Sequence, residues 1–116
     1  MQYMLLIYVD PQTYAGMTDE ESQAEMAEYY AFGPSLRERG IEVSGEGLQG
    51  VETATTVRVR DGKTLVTDGP FAETKEHLGG FYLVDVANLD EAIEVAKRIP
   101  DIRRGSVEIR PVMVFG

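Results

Sequence analysis

The sequence predicts an α+β domain in which two helices return over one antiparallel sheet, and three observations carry that expectation. Strand-like runs and helix-like periodic segments follow one another in the order β-α-β-β(-β)-β-α-β. Each helical segment opens on a capping signal, Thr18 with Glu21 and Asn88 with Glu91. The length, 116 residues, fits one domain and leaves no room for a second. This order is the ferredoxin-like βαββαβ plan with an extra hairpin, and residues 1–116 read as a single unit.

The apolar opening from Met1 to Val9 reads as a buried first strand, closed by a turn at Asp10-Pro11. It lacks a basic leader and a small-residue cleavage site, and it is far shorter than the roughly 20 residues a membrane-spanning helix needs. A cytoplasmic location without a membrane partner is therefore expected. Asp19 and Glu20 suit the positive end of the helix that starts after Thr18, and Met26, Tyr29, Tyr30, Gly33 and Leu36 supply its apolar face. Gly33-Pro34 predicts a kink or a break near Phe32, because proline removes a donor and crowds the preceding turn. Gly40 ends the helix.

Ile41 to Leu48, interrupted by Gly45 and Gly47, reads as a short, bulge-prone strand. Thr55–Arg60 and Lys63–Thr67 flank Asp61-Gly62, the strongest hairpin signal in the chain. Gly80 to Val86 reads as a central strand. The second helix carries Leu89, Ala92, Ile93, Ala96 and Ile99 on one stripe and stops at Pro100. Ser106 to Val114 closes the sheet. The first strand is apolar on both faces, with Tyr3, Leu5, Ile7 and Val9 alternating with Met4, Leu6 and Tyr8. Two helices cover one face, and a second copy of the sheet is the simplest cover for the other. A homodimer is expected, with Val84, Val112 and Val114 helping to fill the shared face.

Twenty acidic and eleven basic side chains give a net charge of −9, which opposes direct nucleic-acid binding. The chain has no cysteine and one histidine, His77. Thiol catalysis, thiolate metal sites and multi-histidine metal sites are excluded, and haem ligation has only His77 to draw on. Glu73 and Glu76 stand three apart without a further assured ligand, so neither a metal nor another cofactor is expected.

The densest chemistry lies between Asp68 and Tyr82. Asp68-Gly69-Pro70 is a turn former, in which Asp68 accepts from backbone donors two residues on and Phe71 anchors the loop by burying its ring. Glu73, Lys75, Glu76 and His77 then bring acid, base and imidazole within five positions. One reading makes this a loop carrying acid–base groups over a cleft, with His77 shuttling protons against Asp68, Glu73 or Glu108. Phe71, Glu73, Lys75 and the Tyr82 hydroxyl then contact a ligand. The other reading makes it a solvated crossover. Arg58, Arg60 and Arg110 admit a similar pair of readings: cross-strand ion pairs with Glu108 and Asp85, or an anion-binding floor to which Arg110 contributes. Tyr29 and Tyr30 read as core or interface.

With Asp68-Gly69-Pro70-Phe71 in this context, the sequence resembles the YCII-related proteins, and in particular their branch marked by that Asp-Gly-Pro-Phe motif. The resemblance runs from Tyr3-Met4-Leu5-Leu6-Ile7-Tyr8 through Gly45-Glu46-Gly47-Leu48, Gly79-Gly80-Phe81-Tyr82-Leu83 and Ile99-Pro100 to Gly105–Met113. It implies a dimeric α+β barrel of two ferredoxin-like protomers packed sheet to sheet. Some members of the wider family carry a histidine–aspartate pair with the histidine in the first helix; Thr18–Arg39 holds none here, and His77 belongs to another segment. The resemblance implies a small-molecule-binding barrel with enzymatic potential. It also implies an alternative, a non-catalytic module beside an extracytoplasmic-function sigma factor as partner.

Overall fold

In the computed structural model, which describes residues 1–115, the first strand lies at the middle of the sheet. β1 (Gln2–Val9) pairs antiparallel with β5 (His77–Asp85) on one side and β6 (Ser106–Pro111) on the other. β2 (Glu42–Gly47) adds to the far edge of β5 and gives the order β2-β5-β1-β6. This is the predicted ferredoxin-like arrangement. The extra hairpin, β3 (Thr55–Arg60) with β4 (Lys63–Asp68), forms a separate two-stranded ribbon. Asp61 and Gly62 both take positive φ, 52° and 75°. That is the mirror-image turn whose twist matches the strands it joins.

The sheet buries one face under α2 (Asp19–Glu38) and α3 (Leu89–Ala96). Tyr3, Leu5 and Ile7 meet Phe32 and Leu36 from α2, Ala92 and Val95 from α3, and Ile99 just beyond it. Burying a side chain such as Leu5, Leu36 or Ile99 completely is worth about 1.5–3 kcal/mol. Val84 belongs to this helix-covered core and is fully buried there, because it pairs with Tyr3 and shares its face. Its expected place on the open face is thereby corrected. The open face carries Met4, Leu6, Phe81 and Leu83, half-buried against one another with no covering helix.

Both caps form as expected. Thr18 and Glu21 close a capping box, and the Asn88 side chain accepts from Glu91 N at 3.0 Å. Of the kink or break expected at Gly33-Pro34, the break is absent: α2 runs through it as one helix. Pro34 is exposed while Phe32, Gly33 and Leu36 are buried, so its ring and the missing donor fall on the side where water is available. The buried face of α2 is also rotated from expectation. Met26 and Tyr30 are exposed, while Glu25, Tyr29, Phe32 and Leu36 turn inward. At Asp10-Pro11 the chain forms a short helix, α1 (Pro11–Ala15), with Asp10 accepting from Gln12 N at 3.0 Å. α3 ends at Ala96, leaving Leu89 and Ile93 exposed, and the last strand stops at Pro111.

Candidate functional site

The inward rotation of α2 carries an acid and a phenol into the domain, and they meet a second acid from the far end of the chain. Past α3, Ile99 is fully buried and Pro100 starts a single 3-10 turn, Pro100–Arg103. Asp101 lies in that turn, and its carbonyl accepts from Arg104 N at 3.0 Å and Gly105 N at 2.8 Å. Gly105 lets the turn sit against the end of β1, since a Cβ there would stand 2.1 Å from the Tyr8 carbonyl oxygen. The turn is thus fixed by backbone contacts before any site chemistry begins.

The Asp101 side chain, 7% exposed, collects the polar groups around it. Tyr14 of α1 donates its hydroxyl to Oδ1, and Tyr29 of α2 donates to Oδ2 at 2.5 Å. Glu25 lies one helical turn before Tyr29 and is also buried; its Oε2 accepts from Arg104 Nη2. Among the described residues its Oε1 has no ordinary donor, but the Asp101 carboxyl is close enough to share a hydrogen bond with Glu25. Two carboxyl groups hydrogen-bond only when one of them carries a proton.

Burial, followed by the contact with Asp101, pushes the Glu25 carboxyl up to about 7 against the pull of Arg104. Burial would raise Asp101 as well. The hydrogen bonds from Glu25, Tyr14 and Tyr29 and the charge of Arg104 outweigh it and hold Asp101 below the usual carboxylate range. Glu25 is accordingly the protonated partner and Asp101 the ionised one. Burial and then the Asp101 carboxylate raise both phenols above their ordinary range, so Tyr14 and Tyr29 remain donors.

Asp101, Tyr14 and Tyr29 form part of the wall of a cleft of about 780 Å³ that also reaches Val9, His77 and Tyr82. A smaller hollow of about 350 Å³ borders the same three residues and opens toward Glu25, Met17 and Met26. At the cleft rim Arg37 pairs with Glu42 at 2.7 Å. The Tyr82 ring stacks edge-on against Phe32 with centroids 5.3 Å apart. Burial, then the nearby Glu42 carboxylate, raises its hydroxyl above the ordinary range.

Of the side chains singled out from the sequence, His77 and Tyr82 line this cleft, while Asp68, Phe71, Glu73, Lys75 and Arg110 do not. His77 starts β5, and its Nδ1 lies 3.5 Å from Thr74 Oγ1, a marginal contact in place of the expected carboxylate. Asp68 ends β4 with its side chain exposed and makes no side-chain hydrogen bond among the described residues. The turn is held instead through Gly69: its N–H donates to the Ala54 carbonyl at 2.7 Å, and its own carbonyl accepts from Thr56 Oγ1 at 2.8 Å. Phe71 does not anchor the loop with its ring, which is 78% exposed; its carbonyl accepts from Arg58 Nη2 at 2.9 Å. Glu73 and Lys75 are exposed, and Arg110 lies opposite Met4, pointing away from the helices.

The residues gathered around Asp101 were missed because each looks ordinary in isolation. Glu25 falls on a helix dense in acids, Tyr29 on an apparent apolar stripe, and Asp101 beside a helix-ending proline. The one available signal was the spacing of Glu25, Tyr29, Phe32 and Leu36, which shares a helical face better than the stripe through Met26 and Tyr30. Among the described residues, no group of three or more histidine, cysteine or acidic side chains is placed to hold a metal ion. No helix there is long and apolar enough to cross a membrane.

Comparison with known proteins places the chain in a family. The chain is 38% identical over 117 residues to an uncharacterised protein of Rhizobium meliloti (strain 1021), covering 99% of this chain and 94% of that protein. In fold it is similar to the 5-chloro-2-hydroxyhydroquinone dehydrochlorinase of Burkholderia phenoliruptrix AC1100, solved in complex with 2,5-dihydroxybenzoquinone. The TM-score is 0.54 at 13% identity, over 97% of this chain and 94% of that one. A family model for the YCII-related domain matches residues 1–116. The chain belongs to the YCII-related family.

Proposed function

We propose that the chain binds a small molecule in the cleft and that Asp101, through Tyr14 and Tyr29, moves a proton to or from it. The observation that carries this reading is a buried carboxylate that borders an open cleft and is held in place by two phenol hydroxyls. Burying an ionised acid costs several kcal/mol unless it is paired. A site with two aimed donors and a cation one residue pair away offsets that cost. A structural role alone does not require the acid to border 780 Å³ of cleft.

Each phenol gives its proton to Asp101, so its oxygen keeps lone pairs for a donor on the ligand. A hydroxyl or amine placed there can pass a proton through the phenol to Asp101, with Glu25 as a neighbouring carboxyl that already holds one. Asp101, Glu42, Glu46 and Glu52 line the cleft against the single cation Arg37 and His77. That balance favours a neutral or cationic ligand over an anionic one. The fold relative, a 5-chloro-2-hydroxyhydroquinone dehydrochlorinase solved with 2,5-dihydroxybenzoquinone, supports a one-ring hydroxylated compound as the ligand class to try.

The test is a thermal-shift and calorimetric screen of neutral, cationic and anionic one-ring hydroxyl and amine compounds. Saturation at a hundred times the dissociation constant should stabilise the fold by about 2.7 kcal/mol. Binding should be lost in Asp101→Asn and weakened in Tyr29→Phe, while Arg110→Ala should bind normally. Equal affinity in all three variants would overturn the assignment.

A further inference from the structure

An irregularity in β2 decides what one end of the cleft can hold. The strand pairs Glu42 with Val84, skips Val43, and resumes with Ser44 opposite Leu83 and Gly45 opposite Tyr82. In a regular strand, positions 42 and 45 would face opposite sides of the sheet. The extra residue turns both to the helix-covered side, with Val84 and Tyr82, and a bulge is a common means of re-aiming a side chain beside a site. Gly45 then seats the Tyr82 ring, since a Cβ there would stand 2.7 Å from Tyr82 Cδ1. Glu42, Gly45 and Tyr82 all line the cleft.

The Glu42 carboxylate is only half used. Its side chain is 7% exposed, and Oε2 pairs with Arg37 Nη1 at 2.7 Å. Oε1 accepts no hydrogen bond among the described residues. A carboxylate taken out of water needs its remaining lone pairs satisfied. Arg37 does not satisfy them: it makes this contact with one nitrogen, where the strongest arginine–carboxylate pairs share two parallel bonds. The arginine side chain is 61% exposed, so water screens the pair from that side.

The surrounding wall suits a cation. Tyr14, Tyr29, Tyr30 and Tyr82 line the same cleft, and Tyr30 is 73% exposed there. The face of a tyrosine ring attracts positive charge, whereas an anion would meet both Glu42 and Asp101.

We propose that Glu42 recognises the ammonium of an organic amine, accepting it on the free Oε1 with the carbon body of the amine against the Tyr82 ring. This rests on the reading that the cleft binds a small molecule, and it adds the charge class of that ligand and the residue that selects it. Arg37 holds the carboxylate while no ligand is bound and competes with the ammonium for it.

Three probes test this. Tyramine, its alcohol counterpart tyrosol and para-hydroxyphenylacetate share a hydroxylated ring and differ in the charge of the side chain. Each is titrated calorimetrically at neutral pH into the full chain as wild type, Glu42→Gln, Arg37→Gln and Asp101→Asn. Wild type should bind tyramine at least about tenfold more tightly than the other two, and Glu42→Gln should bring tyramine down to the level of tyrosol. Arg37→Gln should bind tyramine more tightly than wild type, because no guanidinium competes. If Glu42→Gln fails to fold, the order of the probes on wild type and the effect of Arg37→Gln still decide. Asp101→Asn separates the two readings. A tyramine preference kept at full affinity in that variant would refute the role of Asp101 and leave that of Glu42 standing. Binding that is lost in Asp101→Asn but indifferent to probe charge in wild type would do the reverse. The proposal is also overturned if para-hydroxyphenylacetate binds most tightly, if the preference survives in Glu42→Gln, or if tyramine does not bind at about 10 mM.

Discussion

Replacing Glu25 by glutamine tests whether the buried carboxyl pair holds a proton, through the dependence of stability on pH. In the unfolded chain Glu25 ionises near its ordinary 4.5, but in the folded protein it keeps its proton to about 7. Its folded pKa is raised, so its contribution is fully present below the unfolded value and is lost as pH rises through the folded one. Once both states have ionised, the folded state has lost on the order of 3 kcal/mol from this group. Asp101 works in the opposite sense. Its carboxyl is held low, so it adds stability above its ordinary pKa and loses it as pH falls through the folded value. The pair therefore stabilises most near the ordinary carboxylate values, and its contribution declines from about pH 4.5 to about pH 7 as Glu25 ionises in the unfolded chain but not yet in the folded one. Glutamine keeps a carbonyl for Arg104 and offers Asp101 an N–H, so it mimics the protonated acid at every pH. Urea unfolding of wild type and Glu25→Gln, at one protein concentration from about pH 4 to about pH 8, isolates the difference because every other titrating group is common to both. Glu25→Gln should gain on wild type across this range, most steeply between about 5 and about 7.5, by up to about 3 kcal/mol. Curves that stay parallel would refute the shared proton and, with it, the protonated state assigned to Glu25.

Two other substitutions probe places where the structure departs from the sequence reading. Pro34→Ala, on the exposed side of an uninterrupted α2, should raise stability by about 1–3 kcal/mol in chemical denaturation, because the alanine restores a helical donor. Asp68→Ala should change stability by less than about 0.5 kcal/mol, since the turn is held through Gly69 and Thr56 rather than through the Asp68 carboxylate.

The fold was readable because its cues are local and repeat. The strict alternation in Tyr3–Val9, the Asp61-Gly62 turn and the two caps each act over a few residues, and the structure keeps all of them. Which face Val84 takes depends on pairing with Tyr3, eighty-one positions away in the chain, and alternation alone does not fix that phase. The cleft was readable only in part for the same reason. His77 and Tyr82 were found because they lie in a stretch rich in acid–base groups. Asp101, Glu25, Tyr14 and Tyr29 come from three segments that look structural until the sheet brings them together. A buried acid also disguises itself in sequence, since Glu25 cannot be told from its exposed neighbours Glu20, Glu21 and Glu28 until the helix is rotated onto the sheet.

The placement of β1 at the centre of the sheet has a consequence for synthesis. β1 precedes both of its partners in the sequence: Val9 pairs with His77 and Tyr3 with Pro111, so one edge of β1 waits for β5 and the other for β6. Until β5 has been made, this apolar strand waits with both edges unpaired. Folding therefore begins late and depends on contacts between distant residues, which makes it slow for a chain of this length. The nascent protein is most prone to aggregate while β1 and β5 have been made and β6 has not, because one edge of β1 is then still open.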